Sequence, residues 1–261
     1  MTLSIAVENA AGTPLSSTEA VERATLVHHG VYAPGDRIRF TVPAPGYYQV
    51  RADDTIDEAL VYLTGTGFTF TVPFGAAAVP YNPKAFTGNL HLLSLRAATA
   101  DEVAATRNLA LNPLDQHDEP DVWPHAHANA ETRNEPVFYA RNVIDGITAN
   151  TLHGEWPFAT WGNDNRADAE ITVEFGRPVD LDEIVLVTRA DFPHDNWWTQ
   201  VDLVFSDGTV QTVHMDKSDQ PHRFPVSVRG VTWVKVGNLV KSDDPSPWAA
   251  LVQLEAYGRN A

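Results

Sequence analysis

The 261-residue sequence contains no cysteine, which excludes disulfides, thiolate metal sites and thiol nucleophiles and favours a reducing compartment. It holds no run of about 18 apolar residues, so no helical membrane span is expected. Basic residues are scarce: 18 Lys and Arg stand against 34 Asp and Glu, a formal net charge of −16. Affinity for nucleic acid or anionic lipid rests on neutralising phosphates with cations, so neither is an expected partner. The opening segment MTLSIAVENAAGT lacks a basic n-region and an apolar h-region. It does not read as a secretory signal, and a cytoplasmic location is the expectation, an extracellular one fitting only if a leader has been removed. Nucleophile elbow, zinc-helix and phosphate-loop motifs are missing as well.

What remains is a normal globular balance of 43% hydrophobic and 20% charged residues, enough for one large core or two ordinary ones. The two halves differ. All seven tryptophans (Trp123, Trp156, Trp161, Trp197, Trp198, Trp233 and Trp248) lie in the second. Up to Arg107 there are 7 basic and 10 acidic residues; beyond it there are 11 and 24. The Ala-rich stretch Ala97–Arg107 marks the change. The expected organisation is an N-terminal domain over 1–96, a linker or short helix over 97–107, and a C-terminal domain over 108–261.

Both halves read as strands. Asp36–Val42, Tyr47–Arg51 and Phe68–Val72 alternate polar and apolar residues, and Leu60–Leu63 and Leu90–Leu95 are further candidates. Pro34-Gly35-Asp36, Pro43-Ala44-Pro45-Gly46 and Gly65-Thr66-Gly67 punctuate them as turns. In the second half Ile171–Phe175, Ile184–Thr188, Val201–Phe205, Val210–His214, Val231–Val236 and Leu251–Tyr257 are strand-like, with Asp207-Gly208 a hairpin signal. Many short strands without a βαβ rhythm predict an all-β protein of two β-sandwich domains. Trp161 and Trp233 are expected in the core. Of Trp197 and Trp198 one should face inward, since neighbours on extended backbone point to opposite sides. The same rule splits His28 from His29. The long loop Gly75–Gly88, with Tyr81, Lys84 and Phe86, can be read as a ligand-gripping loop, but packing on the surface is the expectation.

From Asn108 to Gly258 the strands follow an order that resembles the discoidin-like, or coagulation-factor C-type, domains of the galactose-binding-like group. Asn108–Pro113 (NLALNP) is similar to their opening strand, and Ala140–Gly146 (ARNVIDG) to their Asp-Gly turn, with Trp161 where a Trp follows it. Ile171–Gly176, Val179–Val187 and Leu203–Gly208 resemble the middle strands, and Leu254–Gly258 (LEAYG) the closing one. The resemblance implies a jelly-roll sandwich that binds carbohydrate, and sometimes lipid or protein, through loops at one end. It also implies a structural Ca2+ at the turn Asn142–Thr151, held by Asp145, Asn150 and Gln253, the last standing where the family has an acidic or amide side chain. The first half resembles no family.

Three loops concentrate aromatic and polar groups: Thr151–Asn165 with His153, Glu155 and Trp156; Arg189–Trp198 with Arg189, Asp191, His194, Asn196, Trp197 and Trp198; and Lys241–Trp248 with Asp244 and Trp248. Sugars demand this mixture. Their C–H faces stack on rings, and their hydroxyls, both donors and acceptors, take charge-assisted hydrogen bonds from carboxylates, amides and Arg. By the resemblance, Arg189, Asn196 and Trp197 or Trp198 carry the sugar; by the residues alone, Arg189 can equally brace its loop through Asp191 or Asp195. The expected function is carbohydrate recognition. The alternative is a carbohydrate-active enzyme of glycosidase or lyase type, with His153, Glu155, Asp191, His194, Asp195 and Asp244 as acid–base groups. A protein partner or a second copy of the chain stays open. His125 and His127, two apart, form with Glu131 a conceivable metal chelate if the backbone is extended.

Overall fold

The computed structural model describes residues 2–117 and 120–261. The first half forms eight strands, most of them with alternating apolar residues: β1 (Leu3–Glu8), β2 (Pro14–Ala20), β3 (Arg23–His29), β4 (Arg37–Thr41), β5 (Gly46–Arg51), β6 (Ala59–Leu63), β7 (Gly67–Thr71) and β8 (Leu90–Ala97). They pair antiparallel in two four-stranded sheets, β2-β1-β4-β7 and β3-β8-β5-β6. The inward side chains of one sheet, Ile5, Val7, Ile38, Phe40 and Phe70, meet Val50, Val61, Leu63, Leu93 and Leu95 of the other, all fully buried. Strand alternation thus becomes a sandwich core, each large side chain contributing about 1.5–3 kcal/mol by leaving water.

Between the two halves, Ala100–Ala104 forms the short helix α1. Thr99 accepts from the Glu102 N–H while Glu102 reaches back to the Thr99 N–H, so a reciprocal cap fixes where it starts.

The second half contains β9 (Arg107–Asn108), β10 (His125–Ala128), β11 (Trp161–Gly162), β12 (Ile171–Thr188), β13 (Trp198–Phe205), β14 (Val210–His214), β15 (His222–Lys241) and β16 (Ala250–Asn260). The order is β11-β16-β12-β15-β13-β14, with β10 on β12 and β9 on β16. Segments read separately as Ile171–Phe175 and Ile184–Thr188 are one strand of 18 residues. It changes register against β15 between Glu174 and Glu183, so the hydrogen-bonded surface bends and wraps one core. That core includes Trp161, Phe175, Trp198, Phe205 and Leu254. Gly176, at φ 68°, sits at the bend, and a side chain there would collide with the Trp123 indole. Trp233 differs from expectation: it lies half-buried on β15 opposite Glu174, because Val231, Val234 and Val236 take the inward positions.

The halves are laced together by the chain after β9. Leu114 and Val122 are buried within the first sandwich's core cluster. Trp123 exchanges both backbone hydrogen bonds with Tyr62. Arg177 lies over Tyr47 and Tyr62, 5.4 and 5.6 Å from the ring centroids, and burial lowers its pKa to about 10. No helix among the described residues is long and apolar enough to cross a membrane.

Candidate functional site

At one end of the C-terminal sandwich the Arg189–Trp198 and Lys241–Trp248 loops are tied into a single unit. Asn196 is the knot. Its amide donates to the Asp244 and Ser246 carbonyls at 2.9 and 2.8 Å, and its Oδ1 accepts from the Trp197 N–H and the Ser242 hydroxyl, each at 2.7 Å. The Ser246 hydroxyl donates to the His194 carbonyl. Asn196 is buried with its hydrogen-bonding groups spent, which corrects its expected role as a sugar contact. Asp244 likewise turns its carboxylate to the Ser246 N–H and stays outside the cavity described next.

Arg189 and Asp195 form the second fastening. The guanidinium meets the carboxylate in a fork, Nη2 to Oδ1 at 2.6 Å and Nε to Oδ2 at 2.9 Å, with both residues buried. The Asp191 N–H and His194 Nδ1 complete the shell of Asp195, at 2.9 and 3.0 Å. Of the two readings of Arg189 left open above, bracing through Asp195 is therefore realised, while its side chain still lines a surface cavity of about 180 Å3. Thr132, Arg133, Phe138 and Asn163 form the opposite wall.

His153 and His194 lie at this cavity with rings stacked 4.3 Å apart and only 7° from parallel. Each is oriented by its own carboxylate: His153 Nδ1 lies 2.7 Å from Asp191 Oδ2, and His194 Nδ1 faces Asp195. His153, Asp191 and His194 place their potential ligand atoms within 4.8 Å of one another. One ion must lie near the plane of each imidazole it binds, and two stacked parallel rings share no such point. As arranged, this trio offers hydrogen bonds rather than one coordination sphere.

Trp248 supplies the aromatic face. It alone of the seven tryptophans is exposed, at 40%. Trp198, a predicted sugar platform, is instead 1% exposed and packs on Trp161, centroids 6.1 Å apart. Trp197 does not line this cavity; Lys217 Nζ lies 5.2 Å from its ring centroid and Phe192 meets it edge-on. Glu155 is exposed and lines no part of this cavity, and Trp156 borders a different cavity against the first half. Thr132 and Phe138 were not singled out in advance as ligand groups, because a stretch distant in sequence from the three loops brings them here, whereas Asn163 belongs to the first of those loops.

The turn expected to hold calcium is built differently. Gln253 Nε2 donates to Asp145 Oδ1 at 2.7 Å and to the Asn142 carbonyl at 2.9 Å, while its Oε1 accepts from the Gly146 N–H. An amide N–H2 thus addresses the oxygens that a cation would need, and Asn150 spends its amide on the Thr188 and Asp219 carbonyls. This donor set does not fit Ca2+, which takes six to eight oxygens. Burial pushes the Asp145 carboxyl up to about 7. The conceivable chelate of His125, His127 and Glu131 is also not assembled. Glu131 meets His117 at 2.8 Å, His125 meets buried Asp115 at 2.7 Å, and His127 faces Glu174.

No family model and no curated protein matches the chain. Several solved structures are similar to it. They include chitosan-binding module 1 of a chitosanase/glucanase from Paenibacillus sp. IK-5, with 19% identity over 58% of this chain and 98% of that one and a TM-score of 0.40. A fucose-binding module from Streptococcus pneumoniae shows 12% identity over 59% and 96%, with a TM-score of 0.42. At such scores the likeness is no argument for a ligand, and the site stands on its own geometry. The F5/8 type C domain of a Bacteroides fragilis protein, with 12% identity over 52% and 91% and a TM-score of 0.39, is similar at the same level.

Proposed function

We propose that the protein recognises carbohydrate, holding a monosaccharide or the end of a glycan against Trp248 in the loop-end cavity. The observation that carries this reading is the exposed Trp248 indole beside polar groups that are already fixed: Arg189 by Asp195, His153 by Asp191, His194 by Asp195. An aromatic face with few rotamers to freeze takes the C–H face of a pyranose, and pre-oriented donors and acceptors take its hydroxyls. The test is a monosaccharide and glycan screen followed by calorimetry on Trp248→Ala and His153→Ala. Truncating a central aromatic costs about 2 kcal/mol, roughly a thirtyfold loss of affinity. Parental affinity in both well-folded variants sinks the reading.

A catalytic reading draws on the same two imidazole–carboxylate pairs, whose geometry is that of an oriented base. Product formation from a screened glycan, lost in His153→Ala, is the outcome that favours it.

A further inference from the structure

The sandwiches meet along a cleft that the loop-end site does not use. Its larger chamber, about 400 Å3, is bordered by Phe74 and Tyr81 of the first half and by Tyr139 and Arg141 of the second. A smaller chamber of about 100 Å3 lies on the other side of Arg141 and Tyr81, which border both, and is walled by Asp57, Asp145 and Trp156. The larger volume lies within the range of about 300–1,000 Å3 typical of ligand pockets.

The junction is built from buried, hydrogen-bonded groups. Arg141 is buried, with its guanidinium 4.6 Å from the Tyr81 ring centroid. It donates to the Asp115 carbonyl at 2.7 Å, Asn142 Oδ1 at 3.1 Å and the Pro113 carbonyl at 3.4 Å. A guanidinium has five N–H groups, so donors remain beyond these bonds at a point where two chambers meet. Trp156 is fastened across the boundary by its N–H to the Val79 carbonyl, 3.1 Å away. Phe74 is 37% exposed at the rim, and Tyr139 is backed by the His117 ring at 3.9 Å. Flat rings, spare Arg donors and two carboxyls of a site carrying both signs are the groups that meet neutral polyhydroxylated rings.

We propose that this interdomain cleft is a second carbohydrate site, taking a neutral oligosaccharide that passes Arg141 and so occupies both chambers. It shares no residue with the cavity at Trp248, and it stands whether or not that cavity binds sugar. The test uses the full chain and a panel of cello-, chito-, manno- and galacto-oligosaccharides of two to six rings. The indole N–H signals are followed by NMR and assigned by Trp156→Phe and Trp248→Phe. The expected result is that a panel member shifts the Trp156 signal and that Phe74→Ala and Trp156→Ala each weaken its binding at least tenfold. Trp248→Ala leaves that shift in place. Should Trp156→Ala fail to fold, the exposed Phe74→Ala variant still decides the matter. The proposal is overturned if no member moves the Trp156 signal, or if the folded variants bind as tightly as the parent. A shift of Trp248 alone overturns the cleft and supports the loop-end site; a shift of Trp156 alone does the reverse.

Discussion

Replacing Arg189 by Met tests whether the loop end is held by its buried ion pair. Asp195 is 0% exposed, and the fork from Arg189 is its main countercharge. After substitution the carboxylate keeps the Asp191 N–H and the His194 ring, so it is not bare. Removing one partner of a buried pair costs about 3–5 kcal/mol, because the other charge is left without compensation. With two donors remaining, the lower end, about 3 kcal/mol, is expected. The side-chain volume of Met limits the cavity contribution. Adding Asp195→Asn removes the stranded charge yet keeps an acceptor for the Asp191 N–H, so the double variant should recover at least about 1 kcal/mol relative to Arg189→Met. Urea unfolding followed by tryptophan fluorescence reads both values, provided the slopes agree. A loss below about 1 kcal/mol for Arg189→Met, or no recovery in the double variant, refutes the pair as the fastening of this loop.

Three further outcomes follow from other parts of the molecule. The Asp145 carboxyl, pushed up to about 7 by burial, binds its proton more tightly in the folded chain than in the unfolded one, where it titrates near 4. Stability therefore falls as pH rises from about 4 through about 7, and Asp145→Asn, which keeps an acceptor for the Ile147 N–H and Gln253, should flatten that slope in urea midpoints taken across the window. Gln253→Glu sets a second carboxyl against Asp145 and deletes donors worth about 1 kcal/mol each, so it should melt below the parent in chelator and recover with calcium, while the parent responds to neither. Cutting the chain at residue 108 uncovers Leu114 and Val122, at about 1.5–3 kcal/mol apiece, and the resulting fragment should unfold at lower urea than the same half in the full chain.

Wherever burial alternates along a strand, the sequence already shows it. β4, β5, β7 and β14 lie where alternation predicts them, and Asp207-Gly208 turns between β13 and β14 with Gly208 at φ 87°. β1 carried the same signal in Leu3, Ile5 and Val7, but it was weighed only as a signal-peptide candidate. β2, PLSSTEA, has no apolar face to betray it, being an edge strand. In β3 a histidine occupies an inward position: His28 is buried and His29 exposed, as period two requires. The tryptophan pair shows where local reasoning stops. Alternation puts one ring inside, but only the pairing of Trp198 with Lys241 on β15 decides which. Asn196 has the right chemistry for sugar but is used for architecture, because the Asp244 and Ser246 carbonyls satisfy it first, whereas Arg189 is braced by Asp195 where it lines the cavity.

The cleft was the part least legible, since its junction joins Tyr81 and Arg141 across sixty positions, and its existence depends on how the second half is anchored. Leu114 sits in the first sandwich's core, and its neighbours Pro113 and Asp115 lend the carbonyls that hold Arg141. The same short stretch therefore inserts into one half and positions a cation of the other. Asp115 also accepts from the Ala126 N–H at the start of β10, so the anchor continues into the sheet that carries the loop-end site. Leu114 in the first core is thus joined to Arg141 through the backbone carbonyls of its two neighbours, without any contact to a ligand. The first half, which resembles no family by sequence, thus contributes one wall of the cleft and, through this stretch, the register of the other.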